Sequence, residues 1–104
     1  MTNQTCLRAR LFSRQLRRYT PAGEPSVRLG LTYEGQVVEN GLPRTVKLDI
    51  QALALGDLLV TRIESLALDS ELTATGFLSN GLRGKGIVLR LTAVEAHPQT
   101  DTLT

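Results

Sequence analysis

An all-β domain, with five strands curled into a barrel, is what this 104-residue chain predicts, and three observations carry it. Five segments alternate apolar and polar residues with the period of two that half-buried strands show. Proline, glycine and asparagine punctuate those segments as turn residues do. One stretch without the alternation separates the third strand from the fourth. Hydrophobic residues make up 41% and charged residues 21% of the chain, the balance of a soluble globular domain. The length suits one core and one domain, set at residues 1–96.

Thr5 to Phe12 forms the first strand, with Leu7, Ala9 and Leu11 on one face and Arg8 and Arg10 on the other. Leu16 to Thr20 is read as its continuation after a bend, and Pro21-Ala22-Gly23 reverses the chain. Residues 25–34 form the second strand, where Val27, Leu29 and Leu31 face inward and Arg28, Gly30 and Thr32 face away. Gly30 has no side chain to pack and marks a bend at a barrel corner. Asn40-Gly41 is a strong hairpin turn, so the third strand, Val46 to Ile50, makes a long hairpin with the second.

Residues 54–66 place Leu55, Leu58, Leu59, Ile63 and Leu66 near helical spacing, while Gly56, Val60 and Thr61 are poor helix formers. A short helix and an irregular connection both fit. Leu72 to Phe77 supplies the fourth strand and Ile87 to Thr92 the fifth. The loop between them, Asn80 to Gly86, carries three glycines and two cations, Arg83 and Lys85. Residues 97–104 are polar and aperiodic and are expected to form a flexible tail.

The net charge is only +2, but its placement is uneven. Six arginines between Arg8 and Arg28 oppose one acid, Glu24, whereas residues 51–104 are net negative. Such a stripe suits an anionic polymer, although a solvated strand face looks the same in sequence. Cys6 is the only cysteine, so no intrachain disulfide forms and a zinc site needing several thiolates is excluded. No segment approaches the ~20 apolar residues that span a bilayer, and no leader-like apolar run opens the chain, so a cytoplasmic protein is expected. The acids occur singly and the lone histidine, His97, falls in the expected tail. No catalytic set, metal site or cofactor is therefore expected, and the chain reads as a non-enzyme.

Five strands interrupted between the third and fourth is the element order of the oligonucleotide-binding barrel, the OB-fold. The segment Arg18-Tyr19-Thr20-Pro21-Ala22-Gly23-Glu24-Pro25, with the alternating strand to Tyr33, resembles that element in the bacterial single-stranded-DNA-binding protein superfamily. Glu39-Asn40-Gly41, Thr75-Gly76-Phe77-Leu78 and the opening Met1-Thr2-Asn3 resemble its primosomal members over residues 1–96. The resemblance implies a homodimer that binds single-stranded DNA and works beside a restart helicase and other primosome proteins. Carried over by position, it implies DNA contacts at Arg18, Arg44, Lys47, Arg83 and Lys85. Local charge adds Arg8, Arg10, Arg14, Arg17 and Arg28.

The chain departs from the family pattern where some members have aromatic residues in the second hairpin and third strand. Here those positions hold Leu42 and Lys47, and Glu34 lies near the end of the second strand. Only Phe12, Tyr19, Tyr33 and Phe77 are aromatic, so binding is expected to lean on phosphate charge. Tyr19 either offers its ring to a base or caps the barrel end. Tyr33 is in phase with the core, and Phe77 suits a dimer or core contact more than a binding platform. The alternative function is an OB-fold protein-interaction adaptor with weak or no nucleic-acid binding. RNA remains a third possible ligand, because stacking and phosphate contacts serve both polymers.

Overall fold

The computed structural model describes residues 1–81 and 84–97. Seven elements follow one another: β1 (Thr5–Arg14), β2 (Arg18–Tyr19), β3 (Pro25–Glu39), β4 (Leu42–Leu55), α1 (Asp57–Glu64), β5 (Glu71–Asn80) and β6 (Ile87–His97). The sheet order β1-β5-β6-β4-β3, with β1 also paired to β3, closes a five-stranded barrel, and the short β2 flanks β3. The expected OB-type barrel is thus the observed fold. Closure rests on a three-residue parallel ladder, where Gln51, Ala52 and Leu53 of β4 meet Val88, Leu89 and Arg90 of β6. Every other pairing is antiparallel.

The inward set predicted by alternation fills the barrel in β1, β3 and β5, but Val46 and Leu48 lie on the β3–β4 hairpin beyond the barrel and Ile87, at the start of β6, is exposed. Leu11, Leu29, Leu31, Leu72 and Leu89 are fully or almost fully buried and pack with Ala52 and Ala54. Burying each such leucine contributes about 1.5–3 kcal/mol. The uncertain stretch resolves into a helix plus the end of a strand, since β4 runs to Leu55 before α1 begins. Val60 and Ile63, three apart and hence on one helical face, are buried against the barrel, with Leu59 and Leu66 packed beside them. That burial outweighs the weak helix propensity of Val60 and Thr61.

The hairpin is longer than its alternation suggests. β3 and β4 pair continuously from Ser26–Leu55 to Glu39–Leu42, and Asn40 and Gly41 alone form the turn, with φ of 53° and 76°. Positive φ at both central residues belongs to the tight turn whose twist matches the flanking strands. Beyond Thr32, β3 has no β1 partner, and before Gln51, β4 has no β6 partner, so residues 33–50 project as a two-stranded arm. At the other end, β6 continues to His97, one residue into the segment expected as tail. His97 is the last strand residue, its Nε2 2.6 Å from the Thr73 hydroxyl. The rest of that expected tail lies outside the described residues.

Gly76 sits at a bulge between Thr75 and Gly76 where β5 crosses β6, and a methyl there would overlap the Arg90 carbonyl. Backbone cannot yield as a flexible side chain can. Gly76→Ala should therefore destabilise the barrel by at least about 2 kcal/mol in urea denaturation, the scale of core overpacking. A variant with an unchanged midpoint would show that the strands do not approach this closely.

Candidate functional site

Residues facing outward from the barrel wall fall into cross-strand rows, because directly paired residues share a face. Arg28 of β3 pairs with Leu53 of β4, Leu53 with Arg90 of β6, and Arg90 with Phe77 of β5. The next row toward β2 runs Arg18, Ser26, Leu55. On the other side lies Gly30, Gln51, Val88, Ser79. With adjacent strands about 4.8 Å apart, the backbones at Arg28 and Arg90 are about 10 Å apart with Leu53 between them.

Over these rows lies a groove of about 720 Å³. Its walls are the segment after β1 (Gln15, Leu16), the β2–β3 turn (Thr20, Pro21) and the loop before β6 (Asn80, Gly81, Lys85, Gly86). Four cations line it, Arg18, Arg28, Lys85 and Arg90, and none of its eighteen lining residues is acidic. None of the four has a carboxylate partner among the described residues. Leu16, Leu53, Leu55, Ile87 and Val88 give the same groove an aliphatic lining. An apolar trough edged by uncompensated positive charge suits a flexible polyanion with flat, weakly polar side groups.

Most other cations are held within the protein. Arg8 and Arg10 both meet Glu71, at 3.0 and 3.8 Å, and Arg10 also donates to the Asp69 carbonyl at 2.8 Å. Arg14 donates to the carbonyls of Ile63 and Leu66 at 2.9 and 2.6 Å, at and just past the C-terminal end of α1. Arg17 grips Glu64 through two hydrogen bonds of 2.7 and 3.1 Å. On the arm, Arg44 pairs with Glu39 and Lys47 with Glu34, both outside the groove.

Of the residues singled out in sequence, the fold therefore gathers Arg18, Arg28 and Lys85. It disperses Arg8, Arg10, Arg14, Arg17, Arg44 and Lys47. Arg83 lies outside the described residues. Tyr19 is exposed but not among the residues that line the groove, its ring 6.0 Å from the Arg17 guanidinium. Phe77 is on the outer wall rather than in the core. Sequence reasoning missed Arg90, although its outward phase in the fifth strand, between Leu89 and Leu91, was a readable signal.

The barrel and its groove define a single-strand-binding type of OB-fold, and residues 3–93 match the model of a family described as another single-strand binding protein family. The replication restart protein PriB of Bordetella pertussis is 44% identical over 73 residues, covering 70% of this chain and 67% of that protein. The protein of the same name from Photorhabdus laumondii is 32% identical over 78 residues, 75% of this chain and 74% of its own. The solved structure of PriB from Ralstonia solanacearum superposes with a TM-score of 0.85 at 34% identity, over 94% of this chain and all of that one. A small single-stranded DNA-binding protein from Streptomyces coelicolor shares the fold, with a TM-score of 0.70 at 17% identity over 93% and 95% of the two chains. The chain belongs to the single-strand binding protein family and, within it, to the PriB proteins.

The Arg17–Glu64 pair ties the segment before β2 to α1 and sets a pH dependence. Its hydrogen bonds hold the Glu64 carboxyl below the usual glutamate range, and the same contact raises Arg17. A depressed carboxylate stabilises the fold fully above the ordinary glutamate pKa of about 4.3, and the contribution is lost as pH falls through the lower folded value. Glu64→Gln should lower the melting temperature slightly at pH 7 and by less at pH 3. An equal effect at both pH values would mean that the ion pair is not its source.

Proposed function

We propose that this chain binds single-stranded DNA without cleaving it, as a cytoplasmic homodimer that serves replication restart by assisting the loading or activity of a restart helicase. The observation carrying this reading is the groove itself, which brings Arg18, Arg28, Lys85 and Arg90 together over an aliphatic floor with no acid among its lining residues. Membership of the PriB group, whose members are named for replication restart, supports the cellular role. On charge and position in the sequence alone, Arg83 is proposed as a further DNA contact. The groove contacts base edges mainly through leucine, isoleucine and valine, which do not read sequence, so binding is indifferent to base order.

A second, protein-contacting role is favoured by the arm. Its tip exposes Val37, Val38 and Leu42, apolar side chains that nothing in the chain covers among the described residues. In the adaptor reading this arm would act while the groove stayed empty.

Fluorescence anisotropy with a labelled oligothymidine, its RNA counterpart and duplex DNA across a salt series separates these readings. Binding should favour the DNA single strand and weaken steeply with salt, by about 0.7 in log–log slope per phosphate neutralised. Replacing Arg28 and Arg90 together with glutamine should flatten the slope by about 1.4. The same change at the ion-paired Arg8 and Arg44 should leave it nearly unaltered. Equal losses from the two pairs would count against the groove, and no binding to any polymer would favour the adaptor.

A further inference from the structure

One exposed aromatic ring beside the groove is placed there by two features of the backbone. Where β1 meets β3, Leu11 pairs with Leu31 and Ser13 with Gly30, which leaves Phe12 as the extra residue of a bulge. A bulge twists its strand and re-aims the unpaired side chain. Here it lays the ring on Gly30. A methyl at Gly30 would lie only 2.6 Å from Phe12 Cζ and 2.9 Å from Cε1, so the ring rests where any other residue would project a side chain.

Gly30 lies between the buried Leu29 and Leu31, so by alternation its open side is the outer wall. On that wall its strand neighbour is Arg28 and its cross-strand partner is Gln51, and both line the groove. The ring is 41% exposed there. The groove lining itself contains no aromatic residue. Of the other rings, Tyr19 is not among the groove-lining residues, Tyr33 lies over Gly35, and Phe77 stands at the opposite side beside Arg90, so none of them offers a face beside Arg28.

We propose that Phe12 is a base-stacking residue at the β1 rim of the groove, where one base lies on its ring while Arg28 takes an adjacent phosphate. This rests on the single-stranded DNA reading above and adds to it the place where a base is held. Aromatic rings beside cationic backbone contacts are how sequence-tolerant single-strand binders gain affinity from bases. The bulge and the glycine give this barrel such a platform where Leu42 and Lys47 provide none.

The test pairs an oligothymidine with an abasic oligomer of the same length, which keeps the phosphates and removes the bases. Phe12→Leu keeps an apolar side chain without the ring, and Phe12→Trp keeps a ring on Gly30. The leucine variant should bind oligothymidine about tenfold more weakly, the size of one stacked base, with its affinity for the abasic oligomer and its salt slope unchanged. The tryptophan variant should retain oligothymidine affinity, and its fluorescence should be quenched as the oligomer binds. Equal weakening toward both oligomers, or none toward either, would overturn the assignment. So would a changed subunit count for Phe12→Leu in light scattering, which would mark the ring as a contact between copies. A wild-type protein that fails to bind oligothymidine would overturn the DNA reading as well, whereas intact wild-type binding with an unaffected leucine variant overturns the stacking alone.

Discussion

Three residues of β4 lying parallel to three of β6 close the barrel, and the site depends on that short ladder. Ala52 and Leu89 send their side chains into the core from its middle, so closure and core packing support each other. Leu53 and Arg90 leave the same ladder on the outer side. Without the ladder, Arg28 and Arg90 would stand on separate ends of an open sheet, each beside an unpaired edge of the kind that invites aggregation. With it, they stand in one row, two strands apart. The closing contact thus serves stability through one set of alternating residues and charge placement through the other.

Charge placement, rather than the total, distinguishes the groove from the rest of the surface. Arg17, Arg44 and Lys47 each meet one carboxylate, Arg8 and Arg10 share Glu71, and the carbonyls of Ile63 and Leu66 occupy Arg14. Exposed pairs of this kind add little stability, commonly about 0–1 kcal/mol. Their larger effect is to cancel positive potential over the flank of the barrel and along the arm. Four cations without a carboxylate partner among the described residues stand together where strands and loops form a trough. A net charge of only +2 is therefore compatible with a strongly cationic path.

Much of the fold was legible in sequence because it rests on local patterns. Alternation marked core residues of β1, β3, β5 and β6, whereas in β4 it marked Val46, Leu48 and Ile50 and the buried residues are Ala52 and Ala54. Asn40-Gly41 marked its turn because positive φ at both positions leaves few other residue choices. Strand ends were less visible, since a hydrogen-bonded hairpin propagates past the point where burial stops imposing alternation, as it does from Tyr33 to Glu39. The site was only half legible. Arg17 and Glu64 are 47 positions apart, and Arg8 and Glu71 are 63 apart, so neither pairing could be read from local charge. Arg28 and Arg90 are likewise distant in sequence and neighbours only through closure. Phe12 was assigned to the first strand, but nothing in alternation signals the bulge that turns its ring onto Gly30.

Chemical-shift mapping of the backbone amides during titration with unlabelled oligothymidine most directly tests whether a single acid-free trough on the closed wall is the binding surface. The account predicts that perturbations gather at Arg18, Arg28, Leu53, Lys85, Ile87 and Arg90, residues that belong to four separate segments and meet only in the closed barrel. It also predicts little change at Arg8, Glu71 and Arg44. Perturbations centred on the β1 flank around Glu71, or confined to the arm, would contradict it.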